Sequence, residues 1–401
     1  MIFQLPHKTV YASERFFNVQ SIDTVKYSRD VAVDKMNDES FDMEINKQVA
    51  NIAATGATHI ALGTPYDEQF YPFLKRWVDA ARKRKLKIWY RGNLSGWEGW
   101  FSYAKIDREE HTKGIIEFIQ KHSELFESGD IFTSCPECEN GGPGDPRFTK
   151  DVDGFRTFII DEYNAVKKEF AAQGKKIDAN YYSMNGDVAK LIMDKPTTKA
   201  LDGVVTIDHY VKDAETLMAD IKVLKESSGG KIMLGEIGAP IPDIHGDMTD
   251  EEQVKWIDSV FRAVITDESI IGINYWVNMG GSTEIWRSDN SPKKAVETII
   301  SFYRPHYVTG KITNDVSIAI NNVEVQSKYR KTYSQNGVYT IPVLDDSYIQ
   351  FIKDGYITVT LNIDPSTSDV FNKDILMNAN EQSIIYKFFK TILSIFRSMW
   401  I

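Results

Sequence analysis

Over roughly its first 300 residues the chain switches between strand-type and helical runs eight times, and few folds accept that rhythm. The strand-type runs are Phe17–Lys26, Thr58–Gly63, Leu86–Arg91, Ile131–Glu137, Ile177–Tyr182, Val204–Tyr210, Lys231–Glu236 and Ile271–Trp276. Amphipathic helical runs follow them: Met43–Ala54, Phe70–Arg84, Glu109–Glu127, Asp153–Gln173, Asp187–Leu191, Asp213–Lys225, Asp250–Ile265 and Pro292–Phe302. Gly56, Gly174 and Gly230 stand where a glycine can end the preceding helix. Eight strand–helix units predict an α/β fold, a (β/α)8 TIM barrel. The rival, a doubly wound sheet, normally has fewer strands, and neither GxGxxG after the first strand nor GxxxxGK[ST] is present.

Beyond Tyr307 the pattern changes. Ser317–Ile320, Val338–Ile341 and Ile357–Leu361 alternate, and Asn336-Gly337 and Asp354-Gly355 are hairpin turn signals. A small all-β sandwich is expected over 308–378. The last segment, 379–401, reads as an amphipathic C-terminal helix. Lys387, Lys390, Thr391, Ser394, Arg397 and Ser398 form one stripe, and Ile385, Phe388, Phe389, Ile392, Ile395, Phe396 and Met399 cover the rest. Membrane-surface contact through residues 382–401 is one reading of it, and packing on the chain or on a partner is the other. The expected domains are therefore 1–307, 308–378 and 379–401.

Of the 401 residues, 42% are hydrophobic and 26% charged, which excludes wholesale disorder. A net charge of −10 with no concentrated basic patch argues against a nucleic-acid partner. Two cysteines exclude a disulfide-rich scaffold. The N-terminus MIFQLPHKTV has no apolar signal core, and the compartment stays open.

In a barrel, chemistry gathers at the C-terminal ends of the strands. Strand four ends Cys135-Pro136-Glu137-Cys138-Glu139, and strand seven ends Gly235-Glu236-Ile237-Gly238. These ends lie almost opposite each other across the mouth, so two carboxylates can face each other over a bound sugar. A separation of ~5–5.5 Å would mean a nucleophile with an acid/base, and ~6.5–9.5 Å would leave room for an inverting water. Glu236 is the expected nucleophile, on the parity of Ile232 and Leu234. Glu137 is the expected acid/base, with Glu139 as the alternative because the two share parity. The CxxC at 135–138 lacks the further ligands of a zinc site, so its cysteines are read as shaping the turn, free or bridged.

Flat apolar faces beside hydrogen-bonding groups suit a sugar ring. That makes Trp97, Trp100, Trp276 and Trp286 candidate platform residues, and Arg91, Asn93, Asn180, Tyr182, Asp208, His209 and Tyr210 candidate polar contacts. Asp23, Lys26 and Arg29 can pair with each other. The seven histidines show no metal-ligand spacing, so neither a metal nor a cofactor is expected.

On Gly235-Glu236-Ile237-Gly238, Glu137 and Trp276, the first 300 residues or so resemble the retaining glycoside hydrolases of clan A. The resemblance implies an acid/base glutamate ending strand four, a nucleophile glutamate ending strand seven, and an aromatic residue on strand eight lining the glycone subsite. It also implies a strand-six His or Tyr, which looks like His209 or Tyr210. Two departures stand out: Pro136 replaces the usual asparagine, and strand two lacks the usual arginine, a job that Arg91 could do from strand three. Residues 308–378 resemble the carboxypeptidase-regulatory-like, transthyretin-type sandwich at Asn336-Gly337-Val338-Tyr339 and Gly355-Tyr356, a module to which no catalysis is assigned. The expected activity is double-displacement hydrolysis of a glycosidic bond, β-linked on this resemblance, in an oligosaccharide or polysaccharide. The alternatives are an inactive barrel that binds carbohydrate or acts as a scaffold, and a transglycosidase.

Overall fold

The computed structural model describes residues 14–380, so the helix expected at 379–401 lies outside the described residues except for Ala379, which bridges Tyr356 instead, and Asn380. The described chain forms two compact units, residues 17–303 and residues 14–16 with 304–380. The second unit therefore starts a few residues before the boundary expected at 307, and it also takes in residues 14–16.

The first unit is an eight-stranded parallel barrel. Its strands are β1 (Val19–Asp23), β2 (His59–Leu62), β3 (Lys87–Tyr90), β4 (Ile131–Phe132), β5 (Ser183–Asn185), β6 (Val204–Asp208), β7 (Lys231–Ile237) and β8 (Ile270–Tyr275). They are ordered β4-β3-β2-β1-β8-β7-β6-β5, and a parallel bridge from Ile131 to Asp178 closes the ring. Two expectations need correction here. Residues 177–182 are not a strand but a lead-in with that one bridge, and β5 begins at Ser183. The fourth strand stops at Phe132, and the five residues up to Glu137 are a loop.

Why these segments pack as a barrel is visible in the interior. Val19, Ala61, Trp89, Ile131, Tyr181, Val204 and Met233, each from a different stave of the ring, form one buried cluster. In the polar sequence of β1 the buried Gln20 amide nitrogen finds two partners, while Ser21 Oγ has none among the described residues. Gln20 Nε2 donates to the carbonyls of Gly56 (3.1 Å) and Tyr303 (2.8 Å). The outer helices bury one stripe each. In the helix Tyr71–Lys83 that stripe is Phe73, Leu74, Trp77, Val78 and Ala81. Several of their starts are fixed by side-chain caps, as in the reciprocal Asp107–Glu110 and Thr249–Glu252 boxes.

The second unit pairs two sheets. One contains β10 (Glu324–Gln326), β11 (Lys331–Tyr333), β13 (Tyr348–Ile352) and β14 (Val359–Asn362). The other contains β9 (His306–Thr313), β12 (Val338–Val343) and β15 (Val370–Asn372), with β16 (Ile375–Leu376) also on β9. Val308, Ile312, Val325, Tyr339, Ile341 and Phe351 are among the side chains of its core. Asn336 and Gly337, at φ 50° and 70°, make the tight turn that leads into β12. Ser317–Ile320, expected as a strand, is a loop with one bridge, Ala319 to Thr313. Among the described residues no helix is long and apolar enough to cross a membrane.

Asp130 fastens the entrance of β4. Its carboxylate is fully buried, pairs with Arg82, and accepts from the backbone amides of Ile88 (3.0 Å) and Glu127 (2.8 Å). Removing one partner of such a pair leaves the other charge uncompensated. Asp130→Ala should therefore lower the unfolding free energy by about 3–5 kcal/mol in urea denaturation. A loss below about 1 kcal/mol would show that Asp130 does not hold the β3–β4 edge.

Candidate active site

At the C-terminal end of the strands lies a cavity of about 210 Å³, bordered by Glu137, Glu236, Arg91, Asp23, Glu98, Trp100 and Trp276, among others. Glu236 reaches it by an unexpected route. In β7 the residue in the interior cluster is Met233, so regular alternation would put Gly235 on the inner face and Glu236 on the outer. The register against β8 shifts between Leu234 and Ile237, and that against β6 shifts between Ile207 and Asp208. Such irregularities re-aim side chains beside active sites. Gly235 is required there: a Cβ at this position would come within 2.3 Å of Asp208 Oδ1.

Arg91, carried past the end of β3 and almost fully buried, lies over the Trp89 ring and organises the cavity floor. Its Nη2 donates to Glu236 Oε1 (2.8 Å) and Asp208 Oδ2 (2.9 Å), its Nη1 to the carbonyl of Gly235, and its Nε stands 3.9 Å from Asp23. Tyr210 donates from its hydroxyl to Glu236 Oε2 (2.6 Å). Burial, the Glu236 charge and this hydrogen bond raise the phenol well above its ordinary range, so it stays a donor. Glu236 is thus held on both oxygens. Burial raises Asp208 well above the usual carboxylate range against the pull of Arg91. Burial likewise pushes Asp23 up to about 6, again opposed by Arg91.

Glu137 has a different setting. It sits in the loop after β4 with left-handed backbone, φ 45° and ψ 49°. Asn140 Nδ2 donates to its Oε2 (3.1 Å). Burial first, then the charges of Glu236, Asp208 and Glu139, raise it well above the usual carboxylate range, with Arg91 opposing. Cys135 and Cys138, on either side of it, are joined in a disulfide. Glu139 turns away to the end of β5, where its Oε1 accepts from the amide (2.7 Å) and side chain (3.0 Å) of Asn185. The left-handed residue breaks the alternation that made Glu137 and Glu139 equivalent in sequence.

Of the expected sugar contacts, Arg91, Trp100 and Trp276 border the cavity, and Asp208 and Tyr210 join it through Arg91 and Glu236. Others do not. Trp97 is buried, stacked on Phe158 with its Nε1 donating to the carbonyl of Cys138 (3.1 Å), and supports the loop from beneath. Trp286 is buried beside its bridge to Pro292. His209 faces the outer helix Ala214–Ser228, 2.8 Å from Asp220, with Gly186 against its ring. Asn180 donates to the carbonyl of Leu201 (3.0 Å), and Tyr182 meets Ser134 (3.0 Å) and Glu162 (3.4 Å). Asn93 is buried, bonded to His111 (2.8 Å) and to Glu98. Asp23, Lys26 and Arg29 do not pair among themselves. Asp23 faces Arg91, Lys26 stands over the Tyr27 and Trp276 rings, and Arg29 lies over Trp100 and 3.5 Å from Asp30.

Sequence reasoning missed Glu98. It borders the cavity in the Trp97–Trp100 turn, and burial, partly offset by Arg29, pushes it up to about 7. The tryptophans drew attention to that loop, and the acid between them carried the signal.

Among solved structures, a GH5_18 variant from Bifidobacterium longum subsp. longum in complex with Manb1-4GlcNAc aligns with 81% of this chain and 84% of its own, at TM-score 0.53 and 11% identity. A GH5_18 from Bifidobacterium longum subsp. infantis aligns with 75% of this chain and 84% of its own, at TM-score 0.52 and 9% identity. Bacteroides uniformis β-glucuronidase 2 aligns with 84% of this chain at TM-score 0.47 and 11% identity, and the chain spans 44% of that protein's length. No protein-family model matches the chain, and no curated protein matches it. The likeness is one of fold: an eight-stranded (β/α)8 barrel followed by β sheets.

The carboxylates depend on Arg91 for compensation. Arg91→Met should cost about 3–5 kcal/mol of stability in guanidinium denaturation, because Asp208 would be left buried without a cation. A cost below about 1 kcal/mol would show that the floor is held by other contacts.

Proposed function

We propose that the chain is a retaining glycoside hydrolase in which Glu137 is the acid/base and Glu236 the nucleophile. One observation carries this reading: a single cavity holds two carboxyl groups in opposite settings. Glu236 accepts from a guanidinium and a phenol, the partners of a carboxylate ready to attack. Glu137 is desolvated among negative charges, which favours its protonated form, the form a general acid needs.

In the first displacement Glu137 protonates the leaving glycosidic oxygen while Glu236 attacks the anomeric carbon. Arg91 and Tyr210 orient the nucleophile and receive it back as leaving group. In the second, Glu137, now a carboxylate, takes a proton from water as that water attacks the glycosyl ester. The sugar leaves with retained configuration. Trp276 and Trp100 offer apolar faces to the ring, and Glu98 and Arg29 supply an acceptor and a donor to its hydroxyls. A carbohydrate that enters from the barrel mouth is the substrate class this favours.

The test is turnover of a panel of aryl glycosides and oligosaccharides by the wild type, Glu236→Gln and Glu137→Gln. Glu236→Gln should abolish turnover without loss of fold, and near-wild-type activity in that variant would overturn the assignment. Glu137→Gln should lose about 10²–10⁴-fold on substrates that need protonation. The pH dependence has a definite sign. The acid must carry its proton, so wild-type kcat/KM falls as pH rises through the raised Glu137 pKa, above the ordinary value of about 4.3. That limb should vanish in Glu137→Gln, and a limb that persists there would belong to another group.

A further inference from the structure

Glu137 is one of only two residues between the bridged cysteines, Cys135 and Cys138. Both sulfurs are buried, with the residues 0% and 3% exposed. The loop is tied at each end: Asn93 Nδ2 donates to Cys135 Sγ (3.8 Å), and Trp97 Nε1 donates to the Cys138 carbonyl (3.1 Å). The Glu137 amide itself donates to the Ser183 carbonyl (2.9 Å) on β5, and its carbonyl accepts from the Asn140 amide (2.8 Å). A side-chain-bearing residue seldom adopts the left-handed conformation that Glu137 has, and it persists only where surrounding structure over-determines it. The two-residue ring closed by the bridge is the covalent part of that surround.

We propose that the Cys135–Cys138 disulfide is a positioning device for the acid/base: it holds Glu137 in its left-handed conformation, with the carboxyl in the cavity that Glu236 also borders. The proposal rests on the glycosidase reading above for its catalytic meaning. A thiol-exchange role fits the site poorly, because both sulfurs are covered and neither borders the cavity. The groups that surround the Glu137 carboxyl are Glu236 on β7, Asp208 on β6, Arg91 after β3, Glu139 and Asn140 on its own loop, and Tyr210 after β6. Freed from the bridge, the loop can relax to an ordinary backbone conformation and carry the carboxyl out of that surround toward water. The acid would then ionise more readily and lie farther from the leaving oxygen.

The experiment compares the wild type with the C135S/C138S double variant on aryl glycosides of graded leaving-group ability. A dinitrophenyl leaving group needs no proton, and an unactivated alkoxide does. The variant should lose at least about 10-fold in kcat/KM on the unactivated substrate but stay within about 3-fold on the dinitrophenyl glycoside, since only the first draws on the ~10²–10⁴-fold that a general acid supplies. Equal losses on both substrates, or no loss on either, would overturn the proposal. A second readout needs no turnover: carbon-13 glutamate NMR of the whole chain, with the Glu137 carboxyl assigned from Glu137→Gln. Its titration midpoint should move toward the ordinary carboxylate range when the bridge is absent, and an unchanged midpoint contradicts the clamp. If the double variant does not fold, wild-type protein reduced by dithiothreitol takes its place. The reagent gives two electrons and two protons to the bridge and closes to its own cyclic disulfide, and a count of two thiols per chain verifies the reduction. A wild type inactive on every glycoside would sink the glycosidase reading, and the NMR titration would still decide the clamp.

Discussion

A single buried cation makes the mouth of this barrel workable. Arg91 brings its guanidinium among Asp208, Glu236 and Asp23, with no other cation on them among the described ion pairs. Carboxylates gathered in so small a cavity repel one another and lose hydration, a cost that grows as the site is dried. The guanidinium answers this with a rigid fork of donors, aimed at two side-chain carboxylates and the Gly235 carbonyl at once. Glu137 accepts no hydrogen bond from that fork, and burial with the charges of Glu236, Asp208 and Glu139 raises it well above the usual carboxylate range against the pull of Arg91. One cation thus ties the acids of the floor together and leaves Glu137 outside its hydrogen bonds.

The barrel itself was legible in the alternation of runs, because parallel staves and covering helices have different hydrophobic periods. Most helix positions follow from it to within a few residues. The fifth strand did not, because Ala179–Tyr182 are buried as strand residues would be, while the ladder forms only at Ser183. The C-terminal unit was readable where a turn fixes the register, as at Asn336-Gly337, and not in Ser317–Ile320, whose alternation is spent in a loop with exposed Val316 and Ile318.

At the site, strand-end position carried more information than side-chain parity. Glu236 reaches the cavity through a register shift, whereas the alternation that pointed to it runs on the other face of β7. Glu137 and Glu139 look alike in sequence, and a left-handed backbone at the first sends them to different places. Aromatic content proved a poor guide to exposure: Trp97 and Trp286 support loops, while Trp100 and Trp276 border the cavity. Polar residues at strand ends divide in the same way. Asn180, Tyr182 and His209 satisfy partners in the wall of the barrel, and nothing in their letters marks that difference.

The proposed attack of Glu236 on the sugar can be tested by trapping. Incubation with 2-deoxy-2-fluoro glycosides bearing good leaving groups, followed by mass spectrometry of the intact chain and its peptides, reads the attacking residue directly. One added glycosyl unit per chain is expected, on the peptide containing Glu236, and none in Glu236→Gln. A label on another carboxylate, or turnover that releases the inverted anomer without a trapped ester, would contradict it.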